Sequence, residues 1–104
     1  MVEFGLSSNT IQSILETFKV YTQIEKAILY GSRAMGNYRE GSDIDLTLIG
    51  EGLNLTILQA IENDLDELLL PYKIDISLYK QISNPDLLKH IDTVGVVFYQ
   101  KSKT

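Results

Sequence analysis

The sequence contains no cysteine, which excludes disulfide staples and thiolate metal sites, and its single histidine leaves little with which to hold zinc. Any metal bound here must be held by oxygen. Also missing is an apolar run near the about eighteen residues that a membrane helix needs. The N-terminal MVEFGLSSNT lacks the basic start and apolar stretch of a signal peptide, so the expected compartment is the cytoplasm, with no membrane partner. Basic residues are scarce. Nine Lys and Arg against fourteen Asp and Glu leave a formal charge of −5, the wrong sign for gripping long DNA or RNA by its phosphates. The same balance repels a triphosphate, unless divalent cations and a few placed donors locally reverse the field.

What is present suits one soluble globular domain. The 104 residues are 44% hydrophobic and 22% charged, with no repeat, linker or low-complexity stretch, so a single domain over 1–104 is expected. Such a domain is compatible with a homo-oligomer.

Apolar residues at Ile11, Ile14, Leu15 and Phe18 recur at helical spacing and predict a first helix. Ser7 rather than Ser8 is its expected cap, because Leu6 and Ile11 then occupy the two positions of a hydrophobic staple. Residues 27–30 form a short apolar run that reads as a buried strand, closed by Gly31. The glycine-rich stretch 31–42 reads as a turn enclosing one helical turn. Over 43–49 polar and apolar residues alternate, which places Ile44, Leu46 and Leu48 on one face and Asp43, Asp45 and Thr47 on the other. Asn54 is the expected cap of a second long helix carrying Ile57, Leu58, Ile61, Leu65 and Leu68, with Pro71 as its stop. Residues 73–78 read as a strand with Asp75 and Ser77 opposite Ile74, Ile76 and Leu78. Asn84 and Pro85 open a last helix that Gly95 ends, and 96–99 form a closing strand. The expected fold class is therefore α/β (α+β), in the order αβ-turn-βαβαβ, with helices on a mixed sheet. The short link between the first two strands predicts antiparallel neighbours, whereas the helix between the second and third permits a parallel crossover.

Two carboxylates two apart on a strand have Cα atoms roughly 6.6 Å from each other and point the same way. Asp43 and Asp45 can thus straddle hard cations, and a pair of Mg²⁺ ions about 3.5 to 4 Å apart clamps both oxygens of an in-line phosphoryl displacement. Asp75, flanked by two isoleucines, is the candidate third carboxylate. For the phosphates, Gly31 permits close backbone approach, Ser32 offers an N–H and a hydroxyl, and the helical turn after it aims N–H groups at an anion. Arg33 is grouped with them as nucleotide-binding, and Arg39 adds charge. A P-loop is excluded: Gly31 and Gly36 have its spacing, but Asn37 and Tyr38 stand where it needs Lys and Ser or Thr.

The pattern Gly31-Ser32, ten residues, Asp43-x-Asp45 resembles the signature of the DNA polymerase β-like nucleotidyltransferase superfamily, specifically its minimal nucleotidyltransferase branch. The resemblance covers nearly the whole chain, including the strand of Asp75 and the helix before VGVVFY. It implies that Gly31 and Ser32 hold the triphosphate of ATP, that Asp43 and Asp45 ligate both Mg²⁺ ions, and that Asp75 helps activate the acceptor hydroxyl through the first of them. Larger members add an acceptor-binding domain, which these residues do not contain. Minimal members are commonly paired with a small helical HEPN protein as toxin and antitoxin, and the pairing implies transfer of AMP to a tyrosine of that partner.

Each half of the pattern alone is also what a solvated strand edge or an ordinary turn looks like; the two together, with Asp75 on a matching face, point to catalysis. His90, near a helix end, reads as a structural residue complementing the dipole. Glu62, Asp64, Asp66 and Glu67 read as a solvated helix face, and Tyr30, Tyr79 and Tyr99 as margins of the core. Two other functions compete: a non-catalytic antitoxin that neutralises its partner by binding, and antibiotic modification, for which there is little room.

Overall fold

In the computed structural model, which describes residues 2–102, the chain opens with a hairpin that the hydrophobic periodicity does not announce. Its strands, β1 (Val2–Glu3) and β2 (Leu6–Ser7), turn through Phe4 and Gly5, both at positive φ. Two residues per strand are too few for a period-2 signal to stand out. Residues 1, 103 and 104 of the expected domain lie outside the described residues. No helix is long and apolar enough to cross a membrane among those described.

Helix α1 (Ser8–Val20) begins where Ser7 Oγ accepts the Thr10 N–H. Leu6 and Ile11, the expected staple pair, both join the core. Strand β3 (Lys26–Tyr30) runs into the single-turn helix α2 (Ser32–Met35), and β4 (Ile44–Ile49) returns beside it. Asn54 accepts the Ile57 N–H to start α3 (Leu55–Asp66), and Asn84, ahead of Pro85, accepts from Asp86 and Leu87 to start α4 (Pro85–Val94). Between them lies β5 (Ile74–Leu78) with a 3-10 turn at Tyr79–Gln81, and β6 (Val96–Gln100) follows Gly95.

Helix α3 stops well before Pro71. The Leu68 and Leu69 N–H groups bond the Leu65 and Asp66 carbonyls, three residues back, and Leu69 then turns left-handed at φ 54°. The helix thus ends by a tightened last turn, and proline comes after the stop instead of causing it.

The main sheet has the order β5-β4-β3-β6. β3 is antiparallel to both β4 and β6, and β4 is parallel to β5. On one face, Ala27, Leu29, Ile44, Leu46, Leu48, Ile76 and Leu78 pack with Ile14 and Phe18 of α1 and Ile61 and Leu65 of α3. Full burial of such side chains contributes roughly 1.5–3 kcal/mol each. A register shift between Ala27 and Ile28 accommodates both Phe98 and Tyr99 against this core, where Phe18 meets them edge-on at 6.5 and 5.8 Å. The acidic face of α3 is not solvated throughout. Asp64 accepts the Tyr21 hydroxyl, which ties the end of α1 to α3 and pushes the phenol up to about 12. The other sheet face carries α4, whose Ile91 is buried near Ile28 and Ile49. Tyr79, expected at the core margin, reaches over this face and donates to Asp92.

Candidate active site

Strand parity puts the acidic residues on the face that α1 and α3 do not cover. Because Ile44, Leu46 and Leu48 are buried, Asp45 points away from α1 and α3, and Asp43, exposed just before the strand, is near enough for its charge to act on Asp45. In β5, Ile76 and Leu78 are buried and Asp75 is exposed. Register then aligns them: Asp45 pairs with Asp75 across the parallel ladder and with Tyr30 across the antiparallel one. Tyr30, Asp45 and Asp75 therefore form one row over three strands.

Gly31 follows Tyr30 and sits at φ 78°, ψ −158°, a region essentially reserved for glycine. A Cβ at this position would collide with Asp45 Oδ2, so the Gly31 backbone lies directly against that carboxylate. Ser32 comes next, half-buried. The turn is closed from within by bonds from Met35 N–H to the Gly31 carbonyl and from Gly36 and Asn37 N–H to the Ser32 carbonyl, at 3.1, 2.9 and 3.2 Å.

The Asp45 carboxyl is held above the usual carboxylate range. Burial is the main cause, and the charges of Asp75 and then Asp43 add to it, with partial relief from Lys73. Hard oxygen donors on one face, one of them destabilised as an anion, suit a divalent cation such as Mg²⁺. Asp45 and Asp75 share the face with Asp43 nearby, but they do not close into a ready-made cage: among the described residues no three acidic or histidine groups are drawn together tightly enough to hold a metal ion.

Arg33 is held inside the protein. It is only 3% exposed, and its guanidinium donates to the Ser42 carbonyl through Nε and Nη2 and to the Phe4 carbonyl through Nη1, at 3.1, 2.8 and 2.8 Å. Tyr72 and Tyr38 lie against it at 4.9 and 5.4 Å. Three of its five N–H donors tie the first hairpin to the turn, a structural role that the nucleotide-binding expectation does not include. Arg39 is exposed, with its backbone N–H bonded to Ser42 Oγ.

Two residues assigned only structural roles from the sequence stand at the site. The Tyr30 phenol is raised by burial, against a hydrogen bond with Ser77, and feels the charges of Asp45 and Asp75. His90 Nε2 accepts the Gly31 N–H at 3.0 Å, and the Tyr30 ring meets the imidazole edge-on at 6.1 Å. The parity of β3 and the adjacency to Gly31 are signals that reveal Tyr30. Nothing local reveals His90.

Comparison with known proteins agrees with this architecture. Residues 12–104 match the family model described as "Polymerase beta, Nucleotidyltransferase". No curated protein sequence matches the chain. Among solved structures, a chain of a toxin-antitoxin with AMP-PNP aligns at TM-score 0.69 and 21% identity, covering 92% of this chain and 75% of that one. A toxin-antitoxin MntA-HepT structure gives 0.67 at 15% identity, with 91% and 74% covered. A tri-AMPylated Shewanella oneidensis HEPN toxin in complex with MNT antitoxin gives 0.65 at 16%, with 89% and 71% covered. At these identities the likeness is one of fold. With the family model matched over most of the chain, and with a D-x-D strand set against a glycine–serine turn, the chain belongs to the polymerase β nucleotidyltransferase family and is a nucleotidyltransferase.

Proposed function

We propose that the chain transfers AMP from ATP to a tyrosine hydroxyl of a small helical HEPN protein, as the antitoxin of a pair. The observation that carries the chemistry is the pairing of Asp45 with Asp75 beside Gly31. The identity of the partner rests on the fold shared with the toxin-antitoxin structures.

Asp43, Asp45 and Asp75 would hold Mg²⁺, which would supply positive charge against that of the triphosphate. Ser32, through its N–H and hydroxyl, receives the phosphates, and the Gly31 backbone brings them against Asp45. A bond forms between the acceptor oxygen and the α-phosphorus as the bond to the β-phosphate oxygen breaks. Pyrophosphate leaves, and the acceptor keeps AMP as a phosphodiester. Asp75, exposed on the edge strand, orients the acceptor hydroxyl and favours loss of its proton, which passes to solvent.

Incubating the chain and its partner with α-labelled ATP and Mg²⁺ tests this reading. The partner becomes labelled, and D43N abolishes labelling by removing a metal ligand; equal labelling by D43N refutes the assignment. If D43N and D45N neutralise the partner as well as the native chain does, neutralisation is by binding and not by transfer.

A further inference from the structure

We infer that His90 is a positioning residue for the phosphate-receiving turn, holding Gly31 and Ser32 in place through the Gly31 N–H. The inference rests on the transferase reading above and extends it to a residue on α4.

Gly31 lies between β3 and α2, and the helix cap it forms has no side-chain hydrogen bond. Its N–H is taken by His90 Nε2 at 3.0 Å, across 59 residues of sequence. Because Nε2 accepts, the ring proton of a neutral imidazole sits on Nδ1. The Tyr30 ring packs edge-on against the imidazole, with an interplanar angle of 80°, and holds its plane.

The turn is therefore gripped from two sides. Bonds from Met35, Gly36 and Asn37 tie its carbonyls to α2, and His90 ties its N–H to α4. This has two consequences for binding. The Gly31 N–H is spent inside the protein, so the donor offered to phosphate at this point is Ser32. And since the Gly31 backbone lies against the Asp45 carboxylate, whatever fixes Gly31 also fixes the spacing between the phosphates and the acidic row. A histidine that only favoured the dipole at the end of α4 would need no partner on the turn.

His90→Leu keeps bulk and removes the acceptor, whereas His90→Gln presents an acceptor at the reach of Nε2. In the native chain without nucleotide, the Gly31 amide should be protected from hydrogen exchange. In H90L its exchange should rise roughly two- to twelve-fold, the factor that corresponds to losing one hydrogen bond. The KM for ATP should rise by a similar factor with kcat within about threefold, because the turn binds ground and transition states alike. H90Q should restore both. Native Gly31 exchange or native KM in H90L overturns the inference, as does a folded H90Q with the full defect. If H90L does not fold, the H90Q result decides alone in the same two directions. Amide exchange is read without any acceptor: a native chain that labels no partner but binds ATP, by equilibrium dialysis, more tightly than H90L sinks the acceptor assignment and upholds the role of His90.

Discussion

Replacing Asp45 by asparagine should raise the melting temperature while abolishing transfer. Asp45 is partly buried and faces Asp75 across a parallel ladder, with the charge of Asp43, just before its strand, also acting on it. Neighbouring strands are about 4.8 Å apart. Unit charges at that separation repel by about 1 to 2 kcal/mol for effective dielectrics between ~80 and ~40. Since Asp75 is exposed, screening puts the net gain from removing one charge nearer about 1 kcal/mol. In a domain of this size that corresponds to a rise of about 4–8 °C. The pH dependence has a definite sign. The folded-state pKa of Asp45 is raised, so its ionised form costs stability above that value, and the cost is relieved as pH falls through it. The gap between D45N and the native chain should therefore be widest near pH ~7 and close toward pH ~4, where an ordinary aspartate also begins to protonate. Calorimetry at low ionic strength without divalent cations measures both. Adding Mg²⁺ and ATP should stabilise the native chain and leave D45N behind. A D45N protein that melts at or below the native temperature near neutral pH, or a gap that persists in acid, would refute the electrostatic account of the site.

Three further outcomes are expected. Gly31→Ala should cost about 1–3 kcal/mol from the glycine-only backbone conformation, before the clash with Asp45 Oδ2 is added, and should weaken ATP binding; unchanged affinity in a dialysis experiment contradicts it. Arg33→Ala should lose about 2–4 kcal/mol in urea unfolding by stranding the Phe4 and Ser42 carbonyls, and Arg33→Lys, with its charge but not its fork, should not recover it. Mg²⁺ with ATP at a hundredfold excess over Kd should stabilise the native chain by about 2.7 kcal/mol, and a flat thermal response at saturating ligand counts against the site.

Features governed by near neighbours were legible in the sequence. Ser7, Asn54 and Asn84 cap their helices because a short polar side chain before an apolar period bonds N–H groups two or three residues on. Alternation alone put Asp45 opposite Ile44, Leu46 and Leu48, since strand geometry leaves no other arrangement, whereas Asp43 lies just before the strand. The short link after β3 dictated antiparallel pairing, and the helix after β4 allowed the parallel one. What only the tertiary structure decided depends on where distant elements dock. Arg33 carries the same charge exposed or buried, and it took the Phe4 carbonyl of the first hairpin and the Tyr38 and Tyr72 rings to make it a tie. Tyr30 and His90 enter the site for the same reason: one through its strand register, the other through the packing of α4 over β3. Local patterning chooses elements and faces, because those follow from covalent geometry. Which side chains meet across the sheet follows from the packing of the whole chain, and no window of sequence contains it.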